Sequence, residues 1–288
     1  MTPVHRPFAA AVWMLGSITG FSALAVSGRQ IGSHLDTFEM MLYRSLIGLA
    51  LVLAFAELTG RRKEITTRRL EVHILRNALH FAGQNLWLAA LALIPLAQLF
   101  AVEFSYPIMV ALTAPLFLSE RLTPVRVLAA ALGFAGILIV ARPFGAGGFS
   151  VGLILALLCA VGFAGSAIVT KRLTRVVSVI CILFWLSLLQ SLFALILAGY
   201  DGRIRVPDIA IILWVMVMGF AGIIAHLCLT KALSLAPASV VTPVDFLRLP
   251  LIALVGMRFY NEPLDIWVLI GGTVIFAANW INLRAEGR

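Results

Sequence analysis

Apolar runs of about 20 residues dominate the chain, and short polar segments separate them. Since a helix needs about 20 apolar residues to cross the hydrocarbon core of a bilayer, the pattern predicts an all-α integral membrane protein with ten transmembrane helices. The predicted helices cover residues 8–28, 37–56, 72–93, 96–118, 124–142, 150–170, 178–199, 208–233, 238–259 and 264–283.

A proline and two acidic residues of the first half each have a counterpart 142 positions later. The pairs are Pro95 and Pro237, Glu103 and Asp245, and Glu120 and Glu262. The offset predicts two repeats of five helices, at residues 8–142 and 150–284. Because five is an odd number, the two copies cross the membrane in opposite directions. Inverted repeats are typical of secondary transporters, which bind substrate near the midplane between them.

Composition supports a lipid environment. Hydrophobic residues make up 61% of the chain and charged residues 12%, whereas about 25% of a soluble protein is charged. The net charge of +9 would by itself suit a nucleic-acid partner. However, lysine and arginine cluster between the apolar runs, as the positive-inside rule describes. We therefore expect a lipid bilayer and a small-molecule substrate as partners, no nucleic acid, and a monomer or weak homodimer.

The distribution of basic residues predicts the orientation. With both termini in the cytoplasm, 14 lysines and arginines lie inside and 5 outside, which is the favoured bias. The outside set is Arg29, Arg142, Arg203, Arg205 and Arg258. We expect the cytoplasmic (inner) membrane of a bacterium. The three cysteines lie inside apolar runs without metal-ligand spacing, so we expect neither a metal nor a cofactor.

Two segments resemble a known family. The first reads EFSYPIMVALTAPLFLSERLTPVRVLAAALGFAGILIVARP and the second VTPVDFLRLPLIALVGMRFYNEPLDIWVLIGGTVIFAANWINLR. Together with the Tyr43-Arg44 pair, they resemble the ten-helix EamA type of the drug/metabolite transporter superfamily. The resemblance implies a cavity lined mainly by helices 1–4 and 6–9, with helices 5 and 10 as support. It also implies transport of amino acids, metabolites, vitamins or nucleotide-like solutes.

Four charged residues within spans are candidates for substrate binding or coupling, since ionisable groups inside a membrane are functional by default. Glu103 and Asp245 each lie seven residues into a predicted helix. Each serves either proton coupling or a substrate ammonium, or belongs to a structural ion pair. Arg248 shares a helix face with Asp245, while Glu103 has no arginine at that spacing, so Glu103 is the preferred candidate. Arg44 either holds Glu103, binds a substrate carboxylate, or is structural.

Helix 3 carries a polar stripe, because Arg76, His80 and Gln84 recur every four residues. The stripe is either a cavity wall or a polar seam between helices. We favour the cavity wall for His80 and Gln84 and the polar seam for Arg76, whose position near the inner surface would also let its side chain extend toward that surface. His226 corresponds to Gln84 at the 142-residue offset and is a further candidate.

Aromatic and proline residues complete the candidate set. The aromatic residues that either stack on a substrate or pack are Trp13, Phe104, Phe163 and Trp185. The prolines expected to act as hinges are Pro107, Pro115, Pro243 and Pro250. Glu120, Arg121 and Glu262 end helices, and we assign them to gate or loop structure.

The leading hypothesis is a secondary transporter, more specifically an exporter, of a small polar or zwitterionic metabolite. Amino acids or amino-acid-derived compounds such as opine-type metallophores fit a site that bears both charges. Alternatives are an uptake carrier for vitamins or nucleoside-like metabolites and a proton/drug antiporter, which needs Glu103 without a nearby arginine. An intramembrane lipid-modifying enzyme is disfavoured, because clustered catalytic residues at loop ends are absent from the sequence. No Walker-type motif suggests an ATP-driven motor.

Overall fold

The computed structural model describes residues 6–118, 123–142, 150–174, 176–235 and 244–286. Helices and their connections account for these residues, without a strand among them, which confirms the all-α class. The helices with defined bounds are α1 (Pro7–Ile31), α2 (Thr37–Leu58), α3 (Leu70–Leu93), α4 (Leu96–Glu103), α5 (Tyr106–Leu118), α6 (Pro124–Ala141), α7 (Val151–Leu173), α8 (Val179–Ala198), α9 (Ile209–Leu235), α10 (Arg248–Tyr260) and α11 (Ile266–Glu286). One 3₁₀ helix, Arg62–Glu64, follows α2.

Six of the described helices are long and apolar enough to cross a membrane, namely α1, α2, α6, α7, α8 and α9. Two shorter apolar segments, 96–110 and 266–282, add to them. Helix α3 has 24 residues but carries the polar stripe, which explains why it falls outside the six. The chain is therefore a multi-pass membrane protein, and the count of ten spans stays a prediction.

The predicted helix over residues 96–118 is interrupted near the expected hinge at Pro107, because the chain turns at residues 104–105 between α4 and α5. Pro107 explains the break: it has no N–H to donate to the carbonyl of Glu103, four residues earlier. The turn satisfies other groups locally, since Ser105 Oγ donates to the Val102 carbonyl at 2.7 Å. The break lets Glu103 end one helix inside the protein.

A second break precedes α10. Residues 244–245 are helical, residues 246–247 turn, and α10 begins at Arg248. Pro250 cannot donate to the Phe246 carbonyl, which accepts from the Leu249 N–H at 3.0 Å instead. The turns at 104–105 and 246–247 are 142 residues apart. Of the other expected hinges, Pro115 lies within the unbroken α5, and Pro243 lies outside the described residues.

The most extensive helix contacts join the two halves of the chain. The pairs are α1 with α9, α3 with α7, α6 with α11, and α2 with α8. Glycines permit the closest approaches, as small residues do in membrane helix pairs. A Cβ atom on Gly162 of α7 would lie 2.9 Å from the Gly83 Cα of α3. The core is thus formed between the halves rather than within each.

We expect Gly162→Ala to lower the free energy of unfolding by about 1–3 kcal/mol, because the added methyl group meets backbone that moves only if α3 and α7 separate. Thermal unfolding in detergent measures the effect. Gly165→Ala is the matched control, since the nearest atoms there are side-chain carbons of Leu79, the first at 3.2 Å. Equal losses in both variants would contradict the close backbone packing.

Candidate functional site

A cavity of about 430 Å³ lies between α1, α3, α7, α8 and α9 and reaches the two helix breaks. Its polar lining comprises Arg76, His80, Gln84, Glu103, Ser166, Thr170, Lys171, Thr174, His226, Asp245 and Arg248. Its aromatic lining comprises Phe21, Trp87, Tyr106 and Phe163. The volume falls in the range of about 300–1,000 Å³ that is typical of small-molecule sites. Among the described residues that line this cavity, none belongs to α2.

The structure brings most of the predicted candidates together around the cavity. Those that line it are His80, Gln84, Glu103, Phe163, His226, Asp245 and Arg248. Three aromatic candidates lie elsewhere. Trp13 is 38% exposed on α1, Phe104 stacks on Phe246 with ring centroids 4.2 Å apart, and the Trp185 indole donates to the Thr66 carbonyl at 2.8 Å.

Arg248 joins both candidate carboxylates at the inner end of the cavity. Its Nη2 lies 3.2 Å from Glu103 Oε1 and 3.5 Å from Asp245 Oδ2. Trp87 Nε1 donates to the second oxygen of Glu103 at 2.7 Å. Glu103 has no arginine one helical turn away in the sequence, and its partner comes instead from the second half of the chain. We call Glu103, Arg248 and Asp245 the charged triad; with each group ionised, its net charge is −1.

Aromatic rings enclose the arginine of the charged triad. The guanidinium carbon of Arg248 lies 4.8 Å from the ring centroids of Phe21 and Phe104 and 4.9 Å from that of Phe100. Rings at this distance attract a cation through their negative faces. Only 3% of Arg248 is exposed. The charge of Arg248 is therefore stabilised by the two carboxylates and these rings rather than by bulk water.

Arg44 is buried, but it does not hold Glu103. Its Nη1 lies 3.5 Å from Met41 Sδ, and its side chain lines a separate, much smaller cavity of about 10 Å³. His226 lines both cavities. The proposed Arg44–Glu103 pair is thus replaced by the pair of Glu103 with Arg248.

Arg76 lies in the cavity wall, and its contact with α7 also agrees with the polar seam expected for it. It is 8% exposed and donates to Thr170 Oγ1 at 3.1 Å and to Asn77 Oδ1 at 2.9 Å. Arg76 and Trp87 lie on the same face of α3 as His80 and Gln84, and both line the cavity. The spacing of every third or fourth residue along α3 is the sequence signal that identifies them as lining residues.

Opposite ends of α3 mark the open and closed ends of the cavity. Near its start, Arg76 contacts Thr170, and the exposed Lys171 and Thr174 line the cavity at that end. About 22 Å further along α3, given 1.5 Å per residue, the carbonyl of Leu91 accepts from Arg29. The cavity mouth is therefore at the end of α3 where Lys171 and Thr174 lie.

Ion pairs close the end of the protein opposite the mouth. Glu262 pairs with Arg29 and accepts from the Leu96 N–H at 2.9 Å. Arg29 also donates to the Ile94 carbonyl at 2.6 Å. A second, more exposed pair joins Arg142 to Asp265. We call Arg29 and Glu262 the closing pair. Of the residues expected at gates or loops, Glu262 thus has a defined contact, while Glu120 and Arg121 lie outside the described residues.

A multi-pass helical protein with a charged cavity between its two halves has the architecture of a membrane transporter. The chain belongs to the EamA-like transporter family, whose model matches residues 8–142 and 150–284. This assignment confirms the resemblance to drug/metabolite transporters that the sequence motifs indicate.

Relatives of similar length carry different solutes. The chain is 27% identical over 274 residues to the S-adenosylmethionine uptake transporter of Rickettsia bellii, covering 95% of this chain and 93% of the relative. It is 29% identical over 279 residues to the riboflavin transporter of Brucella anthropi, covering 95% and 98%. The pseudopaline exporter CntI of Pseudomonas aeruginosa is 24% identical over 267 residues, covering 92% of each.

A solved crystal structure shares the fold. It superimposes with a TM-score of 0.67 over 94% of this chain and 95% of that chain, at 20% sequence identity. The likeness therefore extends over nearly the whole helical architecture.

Proposed function

We propose that the protein is a secondary carrier that moves a small polar or zwitterionic organic metabolite by alternating access. The observation that carries the proposal is the cavity with the charged triad at its inner end and a closing pair beyond it. Charged groups inside a membrane mark substrate or ion pathways. A cavity open at one end and closed at the other suits one state of an alternating-access cycle.

We further propose that the mouth faces the cytoplasm. Lys171 lies at the mouth, and the distribution of basic residues predicts a cytoplasmic position for it. Arg29 and Arg142 lie at the closed end and belong to the predicted outside set. This orientation places both termini in the cytoplasm of a bacterium with the protein in its inner membrane.

Two inverted repeats, residues 8–142 and 150–284, are part of the proposal. Two observations support them. The helix breaks at 104–105 and 246–247 keep the 142-residue offset. The helix pairings also agree: with the repeats superimposed, the pair α1–α9 corresponds to α7–α3, and α2–α8 and α6–α11 each correspond to themselves.

Amino acids and amino-acid-derived compounds, including opine-type metallophores, are the proposed substrates, with export as the proposed direction. The similarity to a pseudopaline exporter supports this choice. An uptake carrier for vitamins or nucleoside-like metabolites is the second candidate, supported by the riboflavin and S-adenosylmethionine transporters and by Trp87 and Phe163 in the lining. A proton/drug antiporter is disfavoured, because Arg248 already neutralises part of the charge of Glu103.

We expect Glu103→Gln to slow transport about tenfold in proteoliposomes, because loss of one carboxylate removes the net negative charge of the triad. Initial rates of labelled amino acids, S-adenosylmethionine and riboflavin, each with and without a pH gradient, provide the measurement. Saturable transport of one of them is the expected result for the wild-type protein. If Glu103 couples transport to protons, the variant loses the response to the pH gradient.

Glu71→Gln is the matched control, since this glutamate is exposed at the start of α3 and is not among the residues that line the cavity. It should transport as the wild type does. If no solute of the panel moves, the proposed substrates are wrong. If Glu103→Gln is as fast as Glu71→Gln, the assignment of a transport role to Glu103 is wrong.

A further inference from the structure

We propose that Arg76 and His80 form a carboxylate-binding subsite in the wall of the cavity, between the mouth and the charged triad. The ligand is the carboxylate group of the transported metabolite. This inference rests on the proposed function, because it assumes that a metabolite occupies the cavity. It places the carboxylate end of that metabolite at the wall formed by Arg76 and His80.

The charge of Arg76 has no anionic partner among the residues that the structure describes. Its hydrogen bonds go to two neutral oxygens, Thr170 Oγ1 and Asn77 Oδ1. By contrast, Arg248 lies within 3.5 Å of two carboxylates. A guanidinium presents five N–H donors in a planar fork. Arg76 therefore retains donors for an oxyanion, and a buried cation of this kind is stabilised when an anion binds beside it.

His80 provides the second observation. It is 6% exposed, it lines the cavity one helical turn after Arg76, and neither of its ring nitrogens has a hydrogen-bond partner. Phe163 and His226 flank its ring, with centroids 5.5 Å and 6.0 Å away. An unpaired buried polar group is unfavourable. A carboxylate that accepts two bonds from Arg76 and one from the N–H of His80 gives the guanidinium an anionic partner and one ring nitrogen a hydrogen bond.

Arg44 adds positive charge on the same side of the protein. Its contact is with a sulfur atom, Met41 Sδ, and the ion pairs among the described residues do not include Arg44. Because His226 lines both its cavity and the larger one, Arg44 lies behind the proposed subsite. Two buried guanidiniums therefore stand on this side, whereas the charged triad at the inner end has a net charge of −1.

The separation of the two sides constrains the substrate. Arg76 and Trp87, which holds Glu103, are eleven residues apart on α3, about 16 Å between their backbone positions. Long side chains shorten the distance between the charged groups. The arrangement suits a metabolite with a carboxylate at one end and a cationic or hydrogen-bond-donating group directed toward Glu103 and Asp245. Elongated amino-acid-derived compounds meet this requirement.

Ligand-induced stabilisation tests the subsite without transport. The probes are 3-phenylpropanoate and its neutral amide, 3-phenylpropanamide, added to the purified protein in an uncharged detergent. We expect the acid to raise the Tm saturably, by about 2–4 °C, and the amide to leave it unchanged. Arg76→Gln loses the shift and Arg76→Lys keeps part of it. Arg62→Gln, which removes an exposed arginine outside the cavity, keeps the full shift.

Transport provides a second readout. For a transported amino acid, we expect Arg76→Gln to raise the KM about tenfold while the KM of the matching amide stays the same, which also shows that the variant is folded. Equal stabilisation by acid and amide, no stabilisation by either, or an acid shift retained in Arg76→Gln overturns the subsite. An acid-specific shift without transport of any amino acid supports the subsite and overturns the proposed substrates.

Discussion

Replacement of Arg248 by alanine should almost abolish transport, with a loss of about 100-fold or more, and should lower the free energy of unfolding by about 3–5 kcal/mol. The reason is the burial of two carboxylates that share this one arginine. Without it, Glu103 and Asp245 are left in a low-dielectric interior with their like charges near each other. Removal of one partner from a buried ion pair is much more costly than removal of the whole pair.

The aromatic rings around Arg248 increase the expected loss of stability in Arg248→Ala. Phe21, Phe100 and Phe104 contact the guanidinium, so alanine also leaves a void among them, and voids in a packed core are destabilising. Thermal unfolding and initial transport rates of the purified variant measure the two effects separately.

A variant of the charged triad without its three charges distinguishes an effect on folding from an effect on transport. Arg248→Met combined with Glu103→Gln and Asp245→Asn keeps similar volume and removes all three charges. Replacement of a buried ionic cluster by neutral groups is often close to neutral in stability, so we expect the stability to recover while transport stays lost. If the triple variant transports at the wild-type rate, the charges of the triad are structural only.

Arg29→Ala should open the end of the protein opposite the mouth. Arg29 pairs with Glu262 and donates to the Leu91 and Ile94 carbonyls, and the two charged side chains are only 17% and 12% exposed. Loss of about 3 kcal/mol of closure energy changes the equilibrium between the two states about 100-fold. We expect net transport to fall about tenfold as a consequence.

Accessibility of a cavity residue measures this opening. Leu24→Cys, in a background with the three native cysteines replaced, places a thiol in the cavity lining. A membrane-impermeant thiol reagent should reach it from the mouth side in the parent protein, and from both sides after Arg29→Ala. Arg142→Ala is the control, because its pair with Asp265 is 49% and 28% exposed and therefore contributes less. Labelling from the mouth side alone in Arg29→Ala would show that Arg29 does not close the cavity.

Hydrophobic periodicity predicted most helices because lipid imposes long apolar runs on them. The bounds of α2, α6 and α8 agree with the predicted segments to within two residues. Pro107 predicts a hinge in the span over residues 96–118, but it does not predict that the first helix stops at Glu103. A proline in a membrane helix either kinks or interrupts it, and the neighbouring groups that decide, such as the hydroxyl of Ser105, act only in the folded state.

Candidate site residues were predictable where the signal is local. The polar stripe of α3 pointed to His80 and Gln84 because a helix places every fourth residue on one face. The contact of Glu103 with Arg248 is a different case, since 145 residues separate them and no spacing rule connects them. Asp245 and Arg248 were paired correctly from their i, i+3 spacing. For Arg44 the sequence leaves a contact with Glu103, a substrate carboxylate and a structural role open, because depth along a helix carries no information about which neighbour a side chain meets.

The pairing of helices between halves has a consequence for synthesis. Helix α1 packs on α9, which is made much later. Arg248, the partner of Glu103, follows it by 145 residues in the chain. At about 5–20 residues per second, the ribosome takes about 7–30 s to supply that arginine. During this interval the first half lies in the bilayer with a carboxylate that lacks its native cation and with helix faces that lack their native partners. The first half must therefore insert into the membrane before the cavity can assemble. Until the second half is made, chaperones and membrane proteases can act on the exposed faces of the first.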